Sequence, residues 1–207
     1  MVINLSSWMS LPCYYNEIIV GANGVLSFDV GLAGGNCAWQ FDQSMPNANG
    51  VPYQNSINGA YHDIDPSVGG EIRYAILGEY PCRTFIVSYF NVPHYQCNNI
   101  YTTQQIVLYE TTNIIDVYIA DKPNCNSWNN GNAVIGIQNA QGTLGYIPPA
   151  RNTSPWSASD EAWRFSPSGA SVYTVNWYDE AGTNIGIGNS IEVCPTETTN
   201  YSADVVY

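Results

Sequence analysis

Basic residues are almost missing from this chain: it holds one lysine, Lys122, and five Lys and Arg together against 17 Asp and Glu, a formal net charge of -12 over 207 residues. A phosphate backbone or an anionic lipid face needs a basic footprint, so nucleic acid is excluded as a partner. No apolar run reaches the roughly 18 residues of a spanning helix, which excludes membrane insertion by that route. Residues 1–10 carry neither the basic start nor the apolar centre of a signal peptide, so an exported chain would have lost its signal or carry it upstream. Catalytic signatures are missing as well. The only histidines, His62 and His94, stand in no HExxH or other metal-spaced cluster, and there is no GxSxG elbow and no EF-hand spacing. With 17 acidic residues some carboxylate pairs must arise by chance, so pairing alone is no argument for a glycosidase. The expectation is a protein that is not an enzyme, with no catalytic residues and no required cofactor.

Helical periodicity is also scarce, and what replaces it is strand-like. Residues 18–20 and 25–30 flank Ala22-Asn23-Gly24, where Asn-Gly supplies the positive φ of a tight two-residue hairpin. Residues 72–77, 84–92, 100–109, 114–120 and 133–138 are runs of Ile, Val, Tyr, Phe and Thr at strand length. Residues 31–58, rich in Gly, Asn and Pro, read as a long excursion tied down by Cys37, Trp39 and Phe41, and the three prolines of 146–159 argue against regular structure there. The turn-forming Ser166-Pro167-Ser168-Gly169 marks a boundary between a domain of residues 1–168 and a module of 169–207. In that module residues 173–178, 185–187, 191–194 and 201–207 read as four short strands, fewer than the seven of a free-standing sandwich. Its edge, Tyr201, Val205, Val206 and Tyr207, then needs a cover, from the first domain, from missing chain or from another molecule.

The six cysteines, Cys13, Cys37, Cys82, Cys97, Cys125 and Cys194, include no CxxC pair, which favours disulfides and an oxidising compartment over zinc or thioredoxin-type chemistry. Cys97 and Cys125 bracket the hairpin of residues 100–120 and are the pair expected to bridge, because a hairpin brings its flanks together; the pairing of the other four stays open. Asp63, Asp65 and Glu71 are a candidate calcium set, since Asp63 and Asp65 alternate about Ile64 and share a face of an extended segment. Alternatively, the two aspartates accept backbone or Arg73 hydrogen bonds and shape the Pro66-Ser67 turn. The chain also has 23 Asn, 16 Tyr and six Trp, a composition suited to binding or assembly surfaces. Trp39, Tyr61, Tyr95, Trp128 and Trp156 fall in expected loops or strand edges beside amides, where they would hold sugar rings or pin loops to the core.

Several blocks occur in order: Ala60-Tyr61-His62-Asp63-Ile64-Asp65, Gly69-Gly70-Glu71-Ile72-Arg73-Tyr74, Thr84-Phe85-Ile86-Val87-Ser88-Tyr89, Gln104-Gln105-Ile106-Val107-Leu108-Tyr109-Glu110 and Ala133-Val134-Ile135-Gly136-Ile137-Gln138-Asn139. On these, residues 57–148 resemble a nidogen-type extracellular domain. With Ile19-Val20-Gly21-Ala22-Asn23-Gly24-Val25 and Asn176-Trp177-Tyr178 added, the text is similar to large secreted surface proteins of Bacteroidota that are linked to adhesion and gliding-type filaments. The tail resembles a partial immunoglobulin-like or PKD-like module, with Trp177 in the place of the buried strand tryptophan and Tyr201 in that of a tyrosine corner. The resemblance implies an all-β chain: an antiparallel, jelly-roll-like β-sandwich followed by that partial module, secreted or on the cell surface. The expected function is structural or adhesive, with assembly through the open edge of the tail onto copies of itself or adjacent modules of a longer chain. Binding of surface polysaccharide through the loop aromatics is the alternative. Calcium is the one cofactor left open.

Overall fold

A computed structural model describes residues 1–8, 15–41, 43–80, 82–168 and 173–206. Its elements are strands apart from two single-turn 3-10 helices, Val30–Leu32 and Asn129–Gly131, and the chain separates into two compact units, Met1–Ser166 and Pro167–Tyr207. The first unit is an antiparallel β-sandwich. One sheet contains β1 (Val2–Trp8), β2 (Tyr15–Val20), β3 (Val25–Ser27) and β4 (Ser56–Tyr61), followed by β9 (Asn132–Gln138), which pairs with the short β10 (Gly145–Tyr146) and β11 (Ser154–Pro155). The other sheet runs β12-β8-β7-β6-β5, with β5 (Glu71–Leu77), β6 (Thr84–His94), β7 (Cys97–Tyr109), β8 (Ile115–Lys122) and β12 (Ala158–Phe165).

Period-two alternation places the core. Phe85, Val87 and Tyr89 of β6 and Ile106 and Leu108 of β7 face inward and meet Ile18, Val20, Leu26 and Ile57 of the other sheet, all buried. A second cluster joins Val117 and Ile119 of β8 to Ala133 and Ile135 of β9 beneath Trp156. Removing each such large side chain from water contributes about 2 kcal/mol. β4 is buried along its whole length because the loop after β3 folds back over the outer face of its sheet, packing Ala38, Phe41, Met45, Val51 and Tyr53 around Val25, Tyr61 and Val134. The long excursion expected of that loop is thus a second layer over the sheet.

Three local expectations are corrected. The β2–β3 hairpin closes on three residues, not two: Gly21 N–H donates to Val25 O, and within Ala22-Asn23-Gly24 only Gly24 has positive φ, at 90°. A three-residue loop with glycine in the left-handed position fits the strand twist equally well. Second, regular structure reaches into residues 146–159, where β10 and β11 add to β9 and β12 begins. Third, the second unit has three strands among its described residues, ordered β14-β13-β15: β13 (Thr174–Tyr178), β14 (Asn184–Ile187) and β15 (Ser202–Val206). Residues 191–194 form no strand. Ile191 lies over Gly186 of β14, where a Cβ would come within 2.8 Å of its Cγ2, so it packs on a sheet face instead of extending the ladder.

Candidate functional site

An open cleft of about 810 Å³ lies beside the β2–β3 turn, and its lining includes Asn36, Cys37, Trp39, Asp63, Asp65, Tyr95 and Trp128. They arrive from four segments: the long loop after β3, the stretch after β4, the β6–β7 turn and the loop after β8. Asn23, buried in the turn, donates its amide to Cys37 O at 2.8 Å and accepts from Ile64 N–H at 3.1 Å, so one side chain ties the long loop and the segment after β4 to the hairpin. That segment is held extended by a lone bridge between Ile64 and His94, with Asp65 N–H donating to Pro93 O and Tyr95 N–H to Asp63 O. Both aspartates therefore line the cleft, and Tyr95 at the β6–β7 turn stands beside them. Cys97 and Cys125 form a disulfide that spans the open end of the β7–β8 hairpin, and Trp128 N–H donates to Cys125 O three residues on.

These constraints assemble a wall of three rings. Trp128 meets Trp39 at a centroid distance of 5.0 Å and an angle of 48°, and Tyr95 at 4.9 Å and 59°. Trp128 Nε1–H donates to Asp63 Oδ2 at 2.6 Å. Burial raises the Asp63 carboxyl to about 6 and neighbouring Asp65 adds to the rise, against the opposing hydrogen bond from Trp128. Trp39 and Trp128 are half-buried and Tyr95 is exposed, so the wall keeps free apolar area next to carboxylate and amide groups. Among the described residues lining the cleft there is no Lys, Arg or His side chain. A second depression, of about 400 Å³, adjoins it and is lined by Asp65, Tyr95, Gln96, Asn98 and Asn99.

Of the five aromatics singled out in the sequence, the structure brings Trp39, Tyr95 and Trp128 together and places two elsewhere. Tyr61 is fully buried, its hydroxyl donating to Ala38 O. Trp156 is buried with Nε1–H donated to Ala133 O at 3.0 Å, the Lys122 ammonium 4.4 Å and the Arg151 guanidinium 4.8 Å from its ring centroid. Both are core residues. Neither fate had a signal in the sequence: Tyr61 is covered by the folded-back loop, and Trp156 stands between Pro155 and Ser157.

The calcium set does not assemble. Among the described residues no three His, Cys, Asp or Glu side chains converge on a point. Asp65 Oδ1 accepts from Ser67 N–H at 3.0 Å and from Ser67 Oγ at 2.5 Å, which shapes its own turn, and Glu71 pairs with exposed Arg73 at 2.6 Å. Each carboxylate has found a local partner.

The remaining cysteines do other things. Cys37 is a free, half-buried thiol in the cleft whose pKa is raised by burial, while Cys82 and Cys194 are free and exposed; Cys13 lies outside the described residues. At the edge of the second unit Tyr201 and Val206 are exposed and Val205 half-buried, and Tyr207 lies outside the described residues.

One buried polar group had no signal in the sequence. His62 and His94 both bond the Thr102 hydroxyl through Nε2, at 2.9 and 2.8 Å, with ring centroids 4.4 Å apart. A hydroxyl can donate to one ring and accept from the other, so both imidazoles are satisfied while neutral. Burial, with Lys122 nearby, holds His62 far below the usual range and His94 down at about 4. Lys122, itself lowered to about 7 by burial with Arg151 adding to the effect, donates to Trp156 O at 2.5 Å. The only lysine and both histidines are thereby committed to the interior.

The comparison with curated proteins and that with solved structures found no match. A protein-family model described as NIDO related matches residues 13–178, from before β2 through the end of β13. It takes in every strand that forms the cleft, both halves of the sandwich core and the disulfide. The chain belongs to the NIDO-related family.

Proposed function

We propose that this chain is a non-catalytic extracellular adhesion domain of a bacterial surface protein and that its cleft holds a glycan against Trp39, Tyr95 and Trp128. The observation that carries the reading is the wall itself: three rings in contact, part exposed, beside a carboxylate and amides, on a support braced by a disulfide. Aromatic faces take the apolar C–H faces of sugars while nearby polar groups bond hydroxyls, the usual division of labour in small-ligand sites. The disulfide and the family membership support a place outside the cell. For chemistry the site offers little: Asp63 is held by Trp128, and both histidines are sealed on Thr102.

A printed array of bacterial, plant and animal glycans, followed by titration calorimetry on the best binder, tests this. Trp128→Ala and Tyr95→Ala are each expected to weaken binding at least ten-fold, about 1.4 kcal/mol. Trp128→Phe, which keeps the ring packing and loses the N–H, is expected to fall between these and the parent. Failure of the parent protein to retain any sugar on the array sinks the proposal.

The second unit favours a second reading, assembly between chains in a surface filament. As a partial immunoglobulin-like module it would have Trp177 at its centre; the indole donates to Gly188 O at 2.8 Å. Its outer strands β14 and β15 each pair only with β13 among the described residues, and Ile185, Ile187 and Val206 are exposed on them. Unpaired apolar edges invite strand addition from another copy or from an adjacent module. Sedimentation velocity is expected to show concentration-dependent association that Val206→Lys weakens. A protein that stays monomeric at millimolar concentration has no such edge contact.

A further inference from the structure

The aromatic cleft is not the end of the surface that Tyr95 and Asp65 serve. Both residues also line the neighbouring depression, whose other walls are the amide side chains of Gln96, Asn98 and Asn99, so one ridge separates an aromatic basin from an amide basin. The two basins differ in chemistry in a way that suits successive units of one polymer: the first offers stacking area, the second offers donors and acceptors. A monosaccharide can occupy only one of them.

Charge narrows the polymer further. Asp63 and Asp65 border the aromatic basin and Asp65 borders the amide basin as well, while among the described residues neither lining includes Lys, Arg or His. A uronate or sulfate about 4 Å from an aspartate would meet a repulsion on the order of 1–4 kcal/mol, and among the described residues neither lining supplies a Lys, Arg or His side chain to offset it. Hydroxyl groups meet no such penalty, since carboxylates accept from them and amides both accept and donate.

The amide basin is also preorganised. Gln96 sits in the turn between β6 and β7 with a left-handed φ of 61°, directly before Cys97 of the disulfide. Asn98 and Asn99 follow on β7, directly after Cys97 of the disulfide. A ligand arriving there has less chain to order, which favours affinity.

We propose that the cleft and the adjoining depression are consecutive subsites for an uncharged sugar chain of at least two residues, with Tyr95 as the ridge they share. This rests on the glycan reading above and names the class of glycan. The test is titration calorimetry of the whole chain at pH 7.5 with cello-, manno- and chito-oligosaccharides of one to six residues and with oligogalacturonates of the same lengths. At least one neutral series is expected to gain ten-fold or more in affinity between one residue and three, with the matching uronate at least ten-fold weaker. The Asn98→Ala/Asn99→Ala double variant, altered only at exposed positions, is expected to abolish most of that gain with length. Affinity that does not change with length, or uronates that bind as tightly as neutral chains, overturns the two-subsite proposal and leaves the glycan reading standing. Absence of binding to all four series and to the glycan array overturns both.

Discussion

Replacing Gln104 by leucine is expected to destabilise the sandwich by about 4 kcal/mol, although the two side chains are similar in size and the site is in the core. Gln104 projects from β7 across the interior to the other sheet, where its Oε1 accepts from Ala60 N–H at 2.5 Å and its Nε2 donates to Ala60 O at 3.0 Å. It stands in for a neighbouring strand. The β4–β9 ladder is irregular between Asn58 and Tyr61, and the Ala60 backbone, lying in that gap, is paired by an amide side chain instead of by β9. Both Ala60 and Gln104 are buried, so leucine would leave one donor and one acceptor dry and unpaired. Each costs about 1–3 kcal/mol in such a place. Gly24 and Gly59 belong to the same arrangement: a Cβ on either would come within 2.6 or 2.4 Å of the Gln104 amide, so the two glycines let it approach the backbone. Urea denaturation of parent and Gln104→Leu proteins measures the difference. A loss under 1 kcal/mol would mean that β4 closes its irregularity without help. Because the β2–β3 turn rests on the same glutamine, the variant is also expected to loosen Asn23 and, through it, the floor of the cleft.

Gln104 shows why some of this molecule was legible in the sequence and some was not. The strands rich in β-branched and aromatic residues, β5 to β9 and β13, follow from propensity and period alone, and with them the antiparallel sandwich. β12 does not: Ala158–Phe165 holds no Val, Ile or Thr, and its Asp160, Glu161 and Arg164 look like loop residues. Those charges belong to an outer strand, where they deter further pairing, and Arg164 is anchored by a two-pronged pairing with buried Asp116 at 2.8 Å. β4 was hidden for the opposite reason. Its Asn58, Gly59 and Ala60 are weak strand formers, and the strand exists because it is sandwiched between the core and the folded-back loop. At the site, the residue types were visible and their company was not. Trp39 and Trp128 lie far apart in the chain, and their segments are brought together by the Asn129 amide donating to Trp39 O at 3.1 Å, by the Asn23 ties and by the β6–β7 turn. Tyr61 resembles them in sequence and ends in the core. Buried position decides between the two fates, and a single sequence does not report it for a residue in a glycine-rich stretch.

Loss of the Cys97–Cys125 disulfide is expected to cost roughly 3–4 kcal/mol and to weaken ligand binding as well. The bridge closes a sequence separation of 28 residues, and in the chain-entropy description a loop of that size restricts the unfolded state by about 3.5 kcal/mol. The β7–β8 ladder begins near Thr103 and Asp121, so the residues beyond it toward the two cysteines depend on the bridge to stay together. Those residues carry the wall. Tyr95 and Gln96 precede Cys97, and Trp128 follows Cys125 with its N–H on the Cys125 carbonyl. Cutting the bridge therefore frees both flanks of the ridge between the two basins, while the core beneath, built from Ile106, Leu108, Val117 and Ile119, stays packed. The double Cys97→Ser/Cys125→Ser protein should fold, melt earlier, and show red-shifted tryptophan emission from a more exposed Trp128. Denaturant titration alongside calorimetry separates the two consequences. Stability within 0.5 kcal/mol of the parent would assign the bridge no structural share, and unchanged affinity for the parent's best sugar would show that the wall is held without the bridge, by its ring contacts, by Asp63 and by the Asn129 bond to Trp39 O.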